Sequence, residues 1–539
     1  WQARQALQEA ARAQAMQDFV IGLFEHASDA PPEAALDVRA LLDAGLQRGG
    51  RELAQQPLAR AELLGVIARI RLGLGDYAEA EALSRRQSML LDALPEAPAG
   101  LQLEAAAQHG RALRLLGRAP DCIAAMQPWQ DRAEGRSQLS RQAAEFHSQL
   151  GRCHRATGER VSARRLFERA IALRQRAPVD AVGIAENLTD LAALRSDVGE
   201  TEAALQGFLA ARAQLQDAAG LRHPLHVDLL RSIGAIQRER GDVNAAERAW
   251  RAALELAEDV HGPRHPSTLT LRRNLGSALI DLGRYADAQQ LLQPTHDALQ
   301  ARLGPRSNEV GASWNALGIV AWELGDLDAA VEALQQAVLI WRQPAGAALL
   351  PGGLFNYGMV LHAAGRDVQA LRVLTEARAL RAQRFGESHA QVGDTDRLLG
   401  EIHAALGQPT QARAHLQRGL RTLERAEGRA NPRTATAALA FARQLARDGD
   451  NAGAMQRLQA IVGRPAPGLE RRKLRWRARA HLAALQCGAP ATTAQAATQL
   501  QRLEEEVVAS YPDGGVVPRE IAGLRAGCER ATEASVAER

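Results

Sequence analysis

An all-α solenoid built by stacking helix pairs is the fold class this sequence predicts, on three periodic observations. Ten glycines recur at intervals of 40 to 42 residues: Gly75, Gly117, Gly158, Gly199, Gly241, Gly283, Gly325, Gly365, Gly407 and Gly449. Seven residues before each stands a Gly or Ala, as at Gly110, Gly151 and Gly276, and five residues after each stands an Ala, or Cys122 in the second unit. Nine residues after the glycine come large apolar side chains, among them Met126, Phe167, Phe208, Trp250 and Leu292. A single globular core keeps no such beat, whereas a helix pair that cannot bury its own apolar face repeats until its neighbours bury it.

The elements follow in order. Residues 1–27 read as an amphipathic helix ending in Phe19-Val20-Ile21-Gly22-Leu23-Phe24, a turn at 28–32 follows, and a second helix carries Leu36, Val38, Leu41, Leu42 and Leu46. The domain plan is 1–58 for membrane-proximal N-terminal helices, 59–465 for ten repeats, and 466–539 for a degenerate repeat with capping helices. In each repeat the glycine supplies the turn, since it tolerates φ > 0, and the small residues on either side let the two helices approach. The connector after repeat seven, 343–353, is Pro/Gly-rich in the shortest interval and predicts a bend or a flexible edge. Three helical stretches, near 469–486, 491–510 and 517–533, close the chain.

This pattern resembles the tetratricopeptide repeat over roughly residues 60–465. That repeat is usually about 34 residues long, and the longer interval here, with connectors such as Val260-His261-Gly262-Pro263-Arg264-His265-Pro266, is similar to the kinesin-light-chain variety. The resemblance implies a right-handed superhelix whose concave groove binds partners. With the turn glycine numbered 15 in each repeat, positions 2, 5, 9 and 12 share one face of the first helix, and in this family that face lines the groove. The family's peptide-carboxylate clamp uses Lys and Asn, and the lysines are absent, Lys473 being the one lysine of the chain.

A second resemblance rests on Arg39-Ala40-Leu41-Leu42-Asp43-Ala44-Gly45, Arg51-Glu52-Leu53 and Gln56-Pro57-Leu58-Ala59-Arg60-Ala61-Glu62-Leu63-Leu64. The segment resembles one in bacterial transmembrane serine/threonine kinases, where it follows the membrane helix and leads into tetratricopeptide repeats. The resemblance implies a periplasmic sensor region whose kinase domain is cytoplasmic, with Trp1 near the membrane interface. Opening on Trp1 rather than Met sets the expectation of a fragment attached to the membrane through a missing N-terminal helix. The alternative is a cytoplasmic scaffold or adaptor.

Composition excludes little and motifs exclude much. A net charge of +4 on 539 residues gives no nucleic-acid signal, and no run of 18 apolar residues is present. No P-loop, HExxH, GxSxG or HRD motif occurs, so no catalytic residue, cofactor or metal site is assigned and the fragment is expected not to be an enzyme. The pairs His223/His226 and His261/His265 lie beside prolines in connectors and read as turn residues rather than ligands. Cys122 stands at a small-residue packing site and reads as a buried free thiol. Cys487 and Cys528 are expected close enough to pair in an oxidising compartment.

Two groove zones emerge. In repeats one to five, position 2 is acidic (Glu62, Glu104, Glu145, Glu186, Asp228), while positions 9 and 12 carry Arg69, Arg111, Arg114, Arg152, Arg155 and Arg238. These arginines form either a groove for an acidic peptide or other anion, or an internal ladder with the acidic row. In repeats seven and eight the groove positions hold Asn315, Ile319 and Trp322, then Phe355, Met359 and His362, with Asn356 alongside. This apolar patch is either a binding site for a protein, a peptide or an unknown small molecule, or a surface covered by the 343–353 connector. The basic run Arg471 to Arg479 around Trp476 is either a solvated cap helix or an anionic-surface contact.

Overall fold

The computed structural model of the chain describes residues 38–134, 139–176, 178–466, 468–488 and 492–537, with side chains to Arg530. The expected helix over 1–27, Trp1 and the turn at 28–32 lie outside the described residues. Among the described residues there are helices and turns and no strand. They fall into two units, one comprising the chain to Ile236 with Glu255–His265, the other Gln237–Leu254 with Pro266 onward.

In the first unit a leading helix, Val38–Glu52, precedes the pairs Pro57–Gly73 with Tyr77–Asp92, Ala99–Leu115 with Ala119–Met126, Ser140–Thr157 with Arg160–Arg174, and Ala181–Asp197 with Thr201–Ala219. The second helix of repeat two is broken at Met126 by Pro128, which lacks an amide donor and starts a 3-10 turn over Gln127–Trp129. The helices of repeat five, Leu225–Glu239 and Val243–Val260, supply residues to both units. The second unit continues with Pro266–Asp281 and Tyr285–Leu303, Asn308–Leu324 and Leu327–Trp341, Leu350–Ala363 and Asp367–Phe385, Ala390–Ala405 and Pro409–Glu427, and Pro432–Arg447 and Asn451–Val462. Three further helices, Leu469–Cys487, Thr493–Ser510 and Val516–Ala537, end it.

The periodic residues do the work their spacing implies. All ten turn glycines have φ between 71° and 95°, where a Cβ is strained. At Gly158 the reversal is closed by amides of Gly158 and Glu159 donating to the carbonyls of Arg155 and His154 at 3.0 and 2.8 Å. The small residues five places on, from Ala80 to Ala454, are fully buried in every repeat. Opposite them the helical glycines form sockets for the large residue of the second helix. A Cβ on Gly151 would stand 2.7 Å from Phe167, one on Gly318 2.7 Å from Leu334, and one on Gly358 2.5 Å from Leu374.

Two expectations are corrected. Cys122 is buried but not free: it is bonded to Cys153 of the next repeat, with Cα atoms 6.1 Å apart. The 343–353 connector is no loose edge. A Cβ on Gly353 would meet the Trp341 ring at 2.5 Å, and Ala345 and Ala348 offer carbonyls to Asn308 and Arg384 at 2.8 and 2.7 Å. Cys487 and Cys528 are bonded, as expected, with Cα atoms 5.5 Å apart.

The backbones of two paired helices approach closely at Gly419, where a Cβ would stand 2.5 Å from the Gly393 carbonyl and 2.8 Å from the Arg397 amide. Gly419→Ala is therefore expected to destabilise by about 2–3 kcal/mol, because neither atom is a movable side-chain end, and Gly358→Ala by less. Denaturant titration of the two variants compares them.

His147 is wholly buried and neither ring nitrogen has a partner. Burial pulls its pKa down to about 4, with Glu134 opposing and Arg169 adding. The unfolded chain binds this proton near the ordinary value of 6.5, so its contribution is present above that pH and is lost as pH falls toward 4. The full effect is about 3 kcal/mol. Hydrogen exchange of the Ser140–Thr157 helix is expected to accelerate over that window, and less so in His147→Leu.

Candidate functional site

The concave positions of the first unit are tied by charge. Arg69 of repeat one reaches Glu104 of repeat two at 3.9 Å. Arg152 of repeat three reaches Glu186 and Asp190 of repeat four at 2.8 and 2.9 Å. Burial opposes ionisation of Glu186, but Arg152 and Arg174 hold its carboxyl well below the usual range, whereas burial and the neighbouring Glu186 leave Asp190 raised. A second row joins position 12 to position 13 of the next repeat: Arg155 pairs with Asp197 at 2.7 Å, and in the second unit Arg238 pairs with Asp281 at 2.5 Å. The ladder reading of these arginines thus holds at Arg69, Arg152, Arg155 and Arg238. Arg111 and Arg114 face the same surface with no carboxylate within 4 Å among the described residues.

In repeats seven and eight the structure gathers Asn315, Ile319, Trp322, Phe355, Asn356, Met359 and His362 on neighbouring helices, each half-buried. The Asn356 amide donates to the Asn315 side-chain oxygen at 2.9 Å, bridging the repeats. Trp322, Phe355 and Met359 pack on one apolar cluster, the Arg381 guanidinium lies 4.3 Å from the Phe355 ring centroid, and His362 is held by Asp367 at 2.5 Å.

Sequence reasoning missed how the C-terminal helices are used. The segment before the last helix reaches repeats six and seven, 193 to 227 residues away in sequence. Asp513 accepts the Ala286 amide at 3.0 Å, capping the helix Tyr285–Leu303, and Glu323 accepts the Val516 amide at 3.0 Å, capping the last helix in return. Arg519 donates to the carbonyls of Trp322 and Glu323, both at 2.8 Å. Tyr511 stacks on Tyr285, while Val517, Ile521 and Cys528 join one core with Leu279, Leu292 and Val320. None of the C-terminal residues in these contacts, from Tyr511 to Cys528, lies on the repeat period, so no periodic signal marks them.

The basic run lies on the cap helix Leu469–Cys487, where Arg471, Arg472 and Arg475 are exposed, as a solvated cap helix requires, and the rest turn inward. Trp476 is buried and donates to Glu506 at 2.7 Å, where Arg479 also binds at 2.8 Å, while Arg477 and His481 close on Glu520 at 2.5 and 2.9 Å. Arg477 and Arg479 are thus paired within the cap. Of the histidine pairs, His226 lies in the first turn of the helix Leu225–Glu239 and contacts the Gly220 carbonyl of the preceding connector at 3.0 Å, and His261 stacks on His265 within a connector. Among the described residues no group of three His, Cys, Asp or Glu is placed to hold a metal, and no helix is long and apolar enough to cross a membrane.

Comparison with known proteins agrees with this architecture. A family model described as the tetratricopeptide repeat matches residues 225–297, 271–343 and 351–425, and a second so described matches 147–179. The chain carries tetratricopeptide repeats, and its fold is an α-solenoid of that type. No curated protein matches it. Among solved structures, BtubC (BKLC) from P. vanneervenii is 23% identical, covering 43% of this chain and 92% of its own, with a TM-score of 0.35. A kinesin light chain-like repeat protein of Podosopora anserina is 19% identical, covering 38% and 98%, with a TM-score of 0.32. A Rap protein complexed with Competence and Sporulation Factor is 12% identical, covering 80% and 99%, with a TM-score of 0.46.

Arg519 holds the last helix to repeat seven through two carbonyls. Arg519→Ala is expected to lower stability by about 1–2 kcal/mol and to raise amide exchange over 516–530. Unchanged exchange there would show that the apolar contacts alone seat this helix.

Proposed function

We propose that this chain is the non-catalytic, ligand-binding sensor region of a bacterial transmembrane serine/threonine kinase, lying on the periplasmic side of the inner membrane. Its tetratricopeptide repeats are protein-interaction units, and the resemblance of residues 39–64 to the segment that follows the membrane helix in such kinases supplies the attachment. In this reading a protein or peptide occupies the concave surface, and the N-terminal helices pass its occupancy to the kinase.

One observation carries the extracytoplasmic part of the reading: all four cysteines are paired, Cys122 with Cys153 and Cys487 with Cys528. Disulfides persist in oxidising compartments and are rare where glutathione keeps thiols reduced. Each bond closes a loop between residues 31 or 41 apart, which in the chain-entropy account is worth about 3–4 kcal/mol. A protein kept reduced gives up that contribution twice.

The test is thiol labelling. Cells expressing the full chain are quenched in acid, and the protein is alkylated with a maleimide polymer before and after reduction. The expectation is no label before reduction and four labels after it, with Cys122→Ser lowering stability by about 2–4 kcal/mol. Four free thiols in the unreduced sample would place the chain in a reducing compartment and remove this reading in favour of a cytoplasmic scaffold.

A further inference from the structure

The charge ladders of the first unit are interrupted at one rung, and the interruption has two separate causes. By the pairing seen at Arg69 and Arg152, Arg111 of repeat two belongs with Glu145, position 2 of repeat three. Glu145 is already taken: one carboxylate oxygen accepts Gln149 at 2.8 Å and the other accepts the buried Arg174 at 2.7 Å. In repeat four the residue matching Gln149 is Asp190, which receives Arg152, so the substitution also removes the second acceptor of the rung. Glu186, which feels the Arg111 charge, is held by Arg152 and Arg174.

Arg114 fails to pair for a different reason. Arg155 finds Asp197, and Arg238 finds Asp281, each at position 13 of the following repeat. The residue at that place for Arg114 is Ala156, exposed and without a carboxylate. The Arg114 Nε is buried with no hydrogen-bond partner. Two guanidiniums one helical turn apart therefore stand on the groove row without an ion pair, Arg114 feeling Asp190 and Asp228 only at longer range, beside a third, Arg152, that is paired with Glu186 and Asp190.

We infer that Arg111 and Arg114 form a binding site for an acidic peptide segment in extended conformation, whose carboxylates complete the missing rung. The inference rests on the reading of this chain as a ligand-binding region. The spacing favours a peptide over a lone ion. Residues i and i+3 on a helix have Cβ atoms about 5–6 Å apart, and side chains i and i+2 of an extended strand share one face about 6.6 Å apart. Two alternate Asp or Glu residues thus present one carboxylate to each arginine. Burial and the nearby charges of Arg152 and Arg111 bring Arg114 down to about 10, so it stays charged at neutral pH in a place where an anion relieves the repulsion.

The test uses fluorescein-labelled hexaglutamate, hexaglutamine and hexathymidylate with the intact, oxidised chain at about 50 mM salt, where screening is weak. Hexaglutamate is expected to bind, and hexaglutamine not to bind. Arg111→Gln and Arg114→Gln should each weaken binding by about tenfold or more, the scale of one charge-assisted hydrogen bond. The decisive variant is Ala156→Asp, which restores the ladder at an exposed site. It should weaken binding as much as Arg114→Gln with no loss of melting temperature, while Ala156→Asn binds like the parent. The inference is overturned if the parent chain does not bind hexaglutamate. It is also overturned if Ala156→Asp binds like the parent, or if hexathymidylate binds as tightly, which would make the patch a general polyanion surface. These outcomes are independent of the thiol test, so failure here leaves the compartment reading standing, and the reverse.

Discussion

Each repeat depends on how closely its two helices approach, and that distance is set by side chains too small to keep them apart. On the second helix the small residue is fully buried in all ten repeats; on the first, a glycine or alanine makes the hollow that receives Met126, Phe167 or Leu334. Where the hollow is a glycine facing Phe167 or Leu334, an interior packed at crystal-like density does not absorb a methyl group. The constraint fixes more than the pair. Because each socket takes its knob in one register, successive first helices present the same positions at the same height, and every longer-range contact inherits that alignment.

The charge ladders are a consequence. Arg155 meets Asp197 and Arg238 meets Asp281 with the same offset because the register is the same. Partly buried pairs of this kind return little net stability, since desolvation opposes the Coulomb gain. What they govern is the potential of the concave surface. Where the ladder is complete each arginine meets a carboxylate of the next repeat; Arg111 and Arg114 do not. Arg174 pairs with Glu145 and with Glu186 alike, so what sets the rung of Arg111 apart is Gln149, which occupies one oxygen of Glu145 and stands where repeat four has the carboxylate of Asp190.

The end of the second unit is closed by exchange rather than by a simple polar cover. Asp513 caps a helix of repeat six while Glu323 of repeat seven caps the last helix, and Arg519 ties off the carbonyls of Trp322 and Glu323. Each carboxylate satisfies an amide that a helix start leaves open. The Cys487–Cys528 bond joins two helices of the same cap. The apolar residues expected to form an open wall at repeats seven and eight accordingly lie beside a chain terminus that has already found its place.

The helix pairs, the turn glycines and the small-large packing code were legible in the sequence, because each recurs at the period and a local steric rule explains it. Cys487 with Cys528 was legible as a pair within one cap. The bond from Cys122 to Cys153 was not, since it needs the offset between positions 20 and 10 of adjacent repeats, a distance that only packed helices define. Glu145 and Glu186 read alike in sequence and both meet Arg174 in space; Gln149 beside the one and Asp190 beside the other separate them. The contacts of Asp513, Arg519 and Glu520 lie off the period altogether, where sequence order carries no information about proximity. Local sterics decided the repeat, and tertiary packing decided which charges in it remained without partners.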